Sequence, residues 1–124
     1  MNEKLIERLK SLGYEYNEAD AGLLTFCTGA TEEKIKNRIN RSEIPSELEY
    51  MEIDMICGAF LNTKKSVGQL TSYDFEQIEQ SIKEGDTQVT FADGTSPEKQ
   101  FEILIGNMMN GNEADFIRFR KMVW

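Results

Sequence analysis

This chain predicts a mainly α fold, a bundle of four to five helices with one β-hairpin inserted between the third and fourth main helices. Apolar residues recur at spacings of three and four over most of its length, and two of the segments open on helix-start signals, Ser46-x-x-Glu49 and Ser96-Pro97. One stretch, Ile78 to Phe91, alternates instead. In it Ile78 and Ile82 share a face with Gln80 between them, Thr87, Val89 and Phe91 alternate in the same way, and Glu84-Gly85-Asp86 supplies the turn. At 124 residues, positions 1–124 read as a single domain with room for a modest core.

The first helix is short. Asn2 is placed to cap it, Leu5, Ile6, Leu9 and Leu12 give its apolar stripe, and Gly13 is placed to end it. So short a helix needs something to dock on. Tyr14 and Tyr16 bracket a link to a second helix that starts near Asn17 to Asp20 and runs to about Asn40, with Leu24, Thr28, Thr31, Ile35 and Ile39 on one stripe across Gly29. A break at Gly29 to Thr31 is the competing reading, and the small residues Thr28, Gly29 and Ala30 would also suit the close approach of another helix.

Arg41 to Pro45 connects to a third helix, for which Ser46 and Glu49 have the capping-box form. It continues to about Lys65, and a broad apolar face of Leu48, Met51, Ile53, Met55, Ile56, Ala59 and Phe60 marks it as the central helix. A polar link, Ser66 to Tyr73, leads to the hairpin, although Asp74 to Gln80 fits a helical turn equally, since Phe75, Ile78 and Ile82 are spaced by three and four. Ser96 as N-cap and Pro97 at the first helical position open a fourth helix to about Met109, with Phe101, Leu104, Ile105 and Met108 inward. Asn110-Gly111-Asn112 breaks it, and a tail, Glu113 to Trp124, gathers aromatic and basic residues at the end of an acidic chain.

Composition removes several functions. With 14 basic against 22 acidic side chains the net charge is −8, unfavourable for gripping nucleic acid, whose nonspecific affinity comes from Lys and Arg displacing counterions. The chain contains no His, so the usual general base, the Ser-His and Cys-His nucleophile pairs and the commonest transition-metal ligand are missing. Cys27 and Cys57 lie within helical patterns without CxxC spacing and read as buried free thiols. The start Met1-Asn2-Glu3-Lys4 has no apolar secretory core and no run is long enough to span a bilayer, so a cytosolic protein is expected. Glu47, Glu49, Glu52 and Asp54 read as a solvated face compensating the helix dipole rather than as metal ligands or an acid/base pair. Gly85-Asp86 reads as a turn, and the methionines as core filling. No catalytic, cofactor or metal set is expected. The tail, with Phe116, Phe119, Arg120 and Trp124, has the composition of an interface anchor.

Taken in order, these features resemble the phage head-tail connector family, small helical adaptors that complete the head beneath the portal. The resemblance rests on Ser81-Ile82-Lys83-Glu84-Gly85-Asp86-Thr87-Gln88-Val89-Thr90-Phe91, on Ile44-Pro45 before the central helix, on Leu23-Leu24, and on the ending Phe119-Arg120-Lys121-Met122-Val123-Trp124. It implies a non-enzymatic virion or prophage protein that forms a ring of about twelve copies around the channel through which DNA passes. The portal, a tail-side adaptor or completion protein and sister subunits would be its partners, with no membrane involved. Ser81, Gly85, Asp86, Val89 and Phe91 of the hairpin and Phe116, Phe119, Arg120 and Trp124 of the tail would make those contacts. It would sit at the head-tail interface of the virion, and in the host cytoplasm before assembly. The alternative is a small acidic helical module that regulates or inhibits one protein partner.

Overall fold

The computed structural model describes residues 2–68 and 97–121. They form five α-helices: α1 (Asn2–Ser11), α2 (Ala21–Ile39), α3 (Glu49–Ser66), α4 (Pro97–Asn110) and α5 (Glu113–Phe119), with single 3₁₀ turns at Glu18–Asp20 and Ser46–Leu48. The expected helix bundle with a β-hairpin insert is corrected: the fold is mainly helical, and among the described residues there is no strand. Residues 78–91, on which the hairpin was read, lie outside the described residues. Their alternating apolar pattern is a local signal, and Phe75, Ile78 and Ile82 satisfy a helical spacing equally.

α1 buries Leu5 and Leu9 completely, Leu12 just after it is buried too, and Gly13 closes the turn. Gly13 takes φ 90°, and its N–H bonds Lys10 O while Tyr14 N–H bonds Leu9 O, which closes the last turn with a left-handed cap. α2 runs unbroken through Gly29 with Leu24, Cys27, Thr31, Ile35 and Ile39 buried. Gly29 is exposed and a Cβ there would touch nothing within 4 Å, so the anticipated close helix approach is absent at that position. It occurs instead at Gly58 of α3, where a Cβ would stand 3.0 Å from Met109 Cγ and 3.1 Å from the Met109 nitrogen of α4.

α3 is the central helix and packs against α1, α2 and α4. Its expected capping box does not form. Ser46 begins a 3₁₀ turn behind Pro45, and neither Pro45 nor Leu48, the residues that cap the two helices, makes a side-chain cap. The reciprocal cap forms before α2, where Asn17 Oδ1 accepts from Ala19 N–H (2.9 Å) and Asp20 Oδ2 from Asn17 N–H (3.2 Å). α4 runs antiparallel to α3, since Lys65 pairs with Glu102 near one end and Gly111 abuts Met55 near the other.

Two apolar clusters result. The larger joins α1, the first half of α2, α3 and α4 around Phe60 and Phe101. The smaller gathers Ile35, Ile39, Leu48, Met55 and Phe116 where α5 meets the end of α2. Both cysteines are free and buried. Burial, with a smaller push from Asp54 against the pull of Arg8, raises the Cys57 thiol to about 12, so it stays protonated and serves as an apolar filler.

Candidate interaction surface

The tail is fixed to α2 by polar contacts as well as by packing. α2 ends at Asn40 in the left-handed conformation (φ 55°), which leaves carbonyls of its last turn without helical partners. Lys121 N–H bonds Ile39 O at 2.7 Å, Asn40 Nδ2 donates to Lys121 O at 3.2 Å, and Arg41 Nε donates to Phe119 O at 2.6 Å. Arg38 pairs with Glu113 and lies 4.5 Å over the Phe116 ring. Asn112 Oδ1 caps α5 by accepting from Ala114 N–H at 2.9 Å.

Among the residues expected to touch partners, Phe116 is therefore core, only 2% exposed. Phe119 is half-buried against the smaller cluster, while Arg120 is exposed. Ser81, Gly85, Asp86, Val89, Phe91 and Trp124 lie outside the described residues.

The exposed apolar side chains are elsewhere. Phe26 of α2 is 72% exposed, Tyr50 of α3 84% and Ile117 of α5 66%, with Ile103 of α4 partly so. Phe26, Ala30 and Lys34 form an i, i+4, i+8 row beside a groove of about 210 Å³ that Met55, Ala59 and Met109 also line. Tyr50 stands at a second cleft of about 490 Å³ with Lys4, Arg8, Ile53 and Asp54. Sequence reasoning did not single out these positions. Their signal was apolar residues off the buried row, as Phe26 stands on the face of α2 opposite Leu24 and Thr31.

The acidic start of α3 is also not the solvated face that its composition suggests. Glu49 pairs with Lys4 and Asp54 with Arg8 (2.8 Å), so both help to hold α1 in place. Glu52 is buried, 3% exposed, and forms no ion pair among the described residues. Its burial, followed by the charges of Glu32 and Glu49 against a smaller pull from Lys36, raises its carboxyl above the ordinary glutamate value of 4.5.

The other deeply buried carboxylate, Asp20, is also 3% exposed but is held differently. Lys64 Nζ, itself 12% exposed, lies 2.8 Å from Asp20 Oδ1, and Tyr14 Oη donates to Oδ2 at 2.8 Å. Burial pushes this carboxyl up, but Lys64, Tyr14 and the Asn17 N–H together outweigh it and hold the group below 3.8. Burial pulls Lys64 down, while Asp20 and Tyr14 lift it above 10.5. The Tyr14 ring meets Phe60 edge-on at 5.4 Å, so the network is anchored to the larger core.

Among the described residues, no group of three or more Cys, Asp or Glu could hold a metal ion, and no helix is long and apolar enough to cross a membrane. Comparison with protein families, with curated proteins and with solved structures finds no match to this chain.

Proposed function

We propose that this chain is a structural virion or prophage protein, a head-tail connector that completes the head by binding beneath the portal as a ring around the DNA channel. The observation that carries the reading is the placement of exposed apolar side chains toward opposite ends of α2. A subunit in a closed ring needs two different contact patches, one for each neighbour. Phe26 lies near the start of α2 and Ile117 on α5, which is held at the end of α2 through Arg38. At 1.5 Å per residue, roughly 18 Å of helix separate Phe26 from Arg38.

Two further features support it. The net charge of −8 suits a channel lining that lets the duplex pass without holding it. The tail is tied down as far as Lys121, which gives a subunit a defined end to present to a portal or to a tail-side completion protein. The purified chain mixed with its portal protein, sized by light scattering and imaged in negative stain, tests the reading. A ring bound to the portal is expected. A chain that stays monomeric with portal at high concentration contradicts it and favours a small acidic module with one protein partner.

A further inference from the structure

The groove of about 210 Å³ between α2 and α3 has walls that step at helical spacing, Phe26, Ala30 and Lys34 on one side and Met55, Ala59 and Thr63 on the other. An alanine stands at the middle of each wall, so the centre is open, and the exposed Phe26 ring stands at its edge. An apolar cavity of roughly 150 Å³ holds one benzene, so the groove has room for one aromatic ring. Among its described lining residues the single charge is Lys34, which is exposed and forms no ion pair among the described residues.

Outside the groove the exposed large apolar side chains among the described residues are Tyr50, Val67, Ile103 and Ile117, and charge separates them. Val67, Ile103 and Ile117 each have a Lys or Arg within four residues, whereas Tyr50 has none. The cations that share its cleft, Lys4 and Arg8, are already paired with Glu49 and Asp54. Two exposed carboxylates beside it, Glu47 three residues before and Glu7 across the cleft, form no ion pair among the described residues. Tyr50 precedes Ala59 by nine residues, about two and a half turns, so it projects from the side of α3 opposite the groove. A copy therefore cannot fill its own groove with its own Tyr50.

We propose that Tyr50 of one copy seats in the groove between α2 and α3 of the next, with Glu47 and Glu7 facing Lys34, so that copies of this chain add head to tail. This deepens the ring reading and rests on it for closure, because one repeated contact of this kind closes into a ring or runs on as a filament according to the rotation it imposes. It makes Tyr50 the second ring patch and leaves Ile117, on the α5 side, for the portal or the tail-side protein. A buried aromatic side chain contributes about 150–250 Å², well below the roughly 1,000 Å² of a stable interface, so one pair is weak and a closed assembly that holds each copy twice is strong.

Sedimentation equilibrium of the full chain up to about 1 mM, a range that detects weak pairs, tests this with Ala30→Arg, which fills the groove from an exposed position, and Tyr50→Lys, which removes the knob. Circular dichroism confirms that both variants keep the helical fold. The unsubstituted chain should grow past the dimer as concentration rises, and each variant alone should associate at least about tenfold more weakly. An equimolar mixture of the two should form a dimer and stop there, since one intact knob and one intact groove remain to meet. Lys34→Glu should weaken association several-fold more than Lys10→Glu, the same charge change outside both patches. A chain monomeric at every concentration, a mixture that does not pair, equal effects of Lys34→Glu and Lys10→Glu, or a Tyr50→Lys variant that associates like the unsubstituted chain, its groove then taking another occupant, would each overturn the proposal. Pairing without portal binding supports this contact and removes the portal reading; portal binding by a chain that never pairs overturns the contact and keeps that reading.

Discussion

Asp20 and Glu52 are equally buried carboxylates in one small bundle, yet their protonation shifts in opposite directions. Asp20 faces an ammonium, a phenol and a backbone N–H; Glu52 faces another glutamate. Burial raises both carboxyls, and only Asp20 has partners that outweigh it. The region at the start of α2 is thus locked by satisfied charge, whereas the α2–α3 seam holds a carboxyl whose ionisation folding disfavours.

Removing the cation is the strongest way to break this contrast. Lys64→Met should cost about 3–5 kcal/mol in urea unfolding at pH 7, because Asp20 is left buried without its partner. Adding Asp20→Asn to that variant should restore much of the loss, as the two side chains act as a unit. Tyr14→Phe should cost less, about 1.5–3 kcal/mol, for a hydrogen bond to a charged group. It should also move the acid limb of the stability profile to higher pH. Asp20 contributes fully above the unfolded value of 3.8 and loses that contribution as the pH falls through its lower folded value, so a weaker partner brings the loss on sooner.

Two of the helical glycines, Gly58 and Gly29, give the apolar counterpart of the same lesson. Gly58→Ala should lose about 1–3 kcal/mol, because the new methyl would press on the backbone nitrogen of Met109 as well as on two methionine side chains. Gly29→Ala, on the exposed side of α2 with nothing near it, should gain about 0.5–1 kcal/mol. Paired thermal melts of the two variants check the difference in sign.

Much of the helical framework was legible. The spacing of Leu5, Leu9 and Leu12 with Gly13 behind it, the row from Leu24 to Ile39, the broad face of α3 and the helix start at Pro97 each mark a local preference that packing did not overturn. The capping box at Ser46 was misread because Pro45 leads the chain into a 3₁₀ turn, and local chemistry did not show which start signal would be used. Glu52 was misread because it stands in an acidic run. Its place one turn from both Leu48 and Ile56 was the signal that it points inward.

Of the candidate surface, the sequence marked the tail as an anchor and left its docking open. Its grip on Ile39, Asn40 and Arg41 consists of backbone and side-chain bonds between residues some eighty positions apart, and no local pattern encodes them. The exposure of Phe26 and Ile117 likewise depends on which face each helix turns inward.

A carbon-detected NMR titration that follows the side-chain carboxyls of Asp20 and Glu52 in the same sample puts the contrast to its most direct test. Asp20 should titrate below 3.8 and Glu52 above 4.5. Two midpoints displaced in the same direction, or both at their ordinary values, would contradict the claim that partners override burial at Asp20 and fail to do so at Glu52.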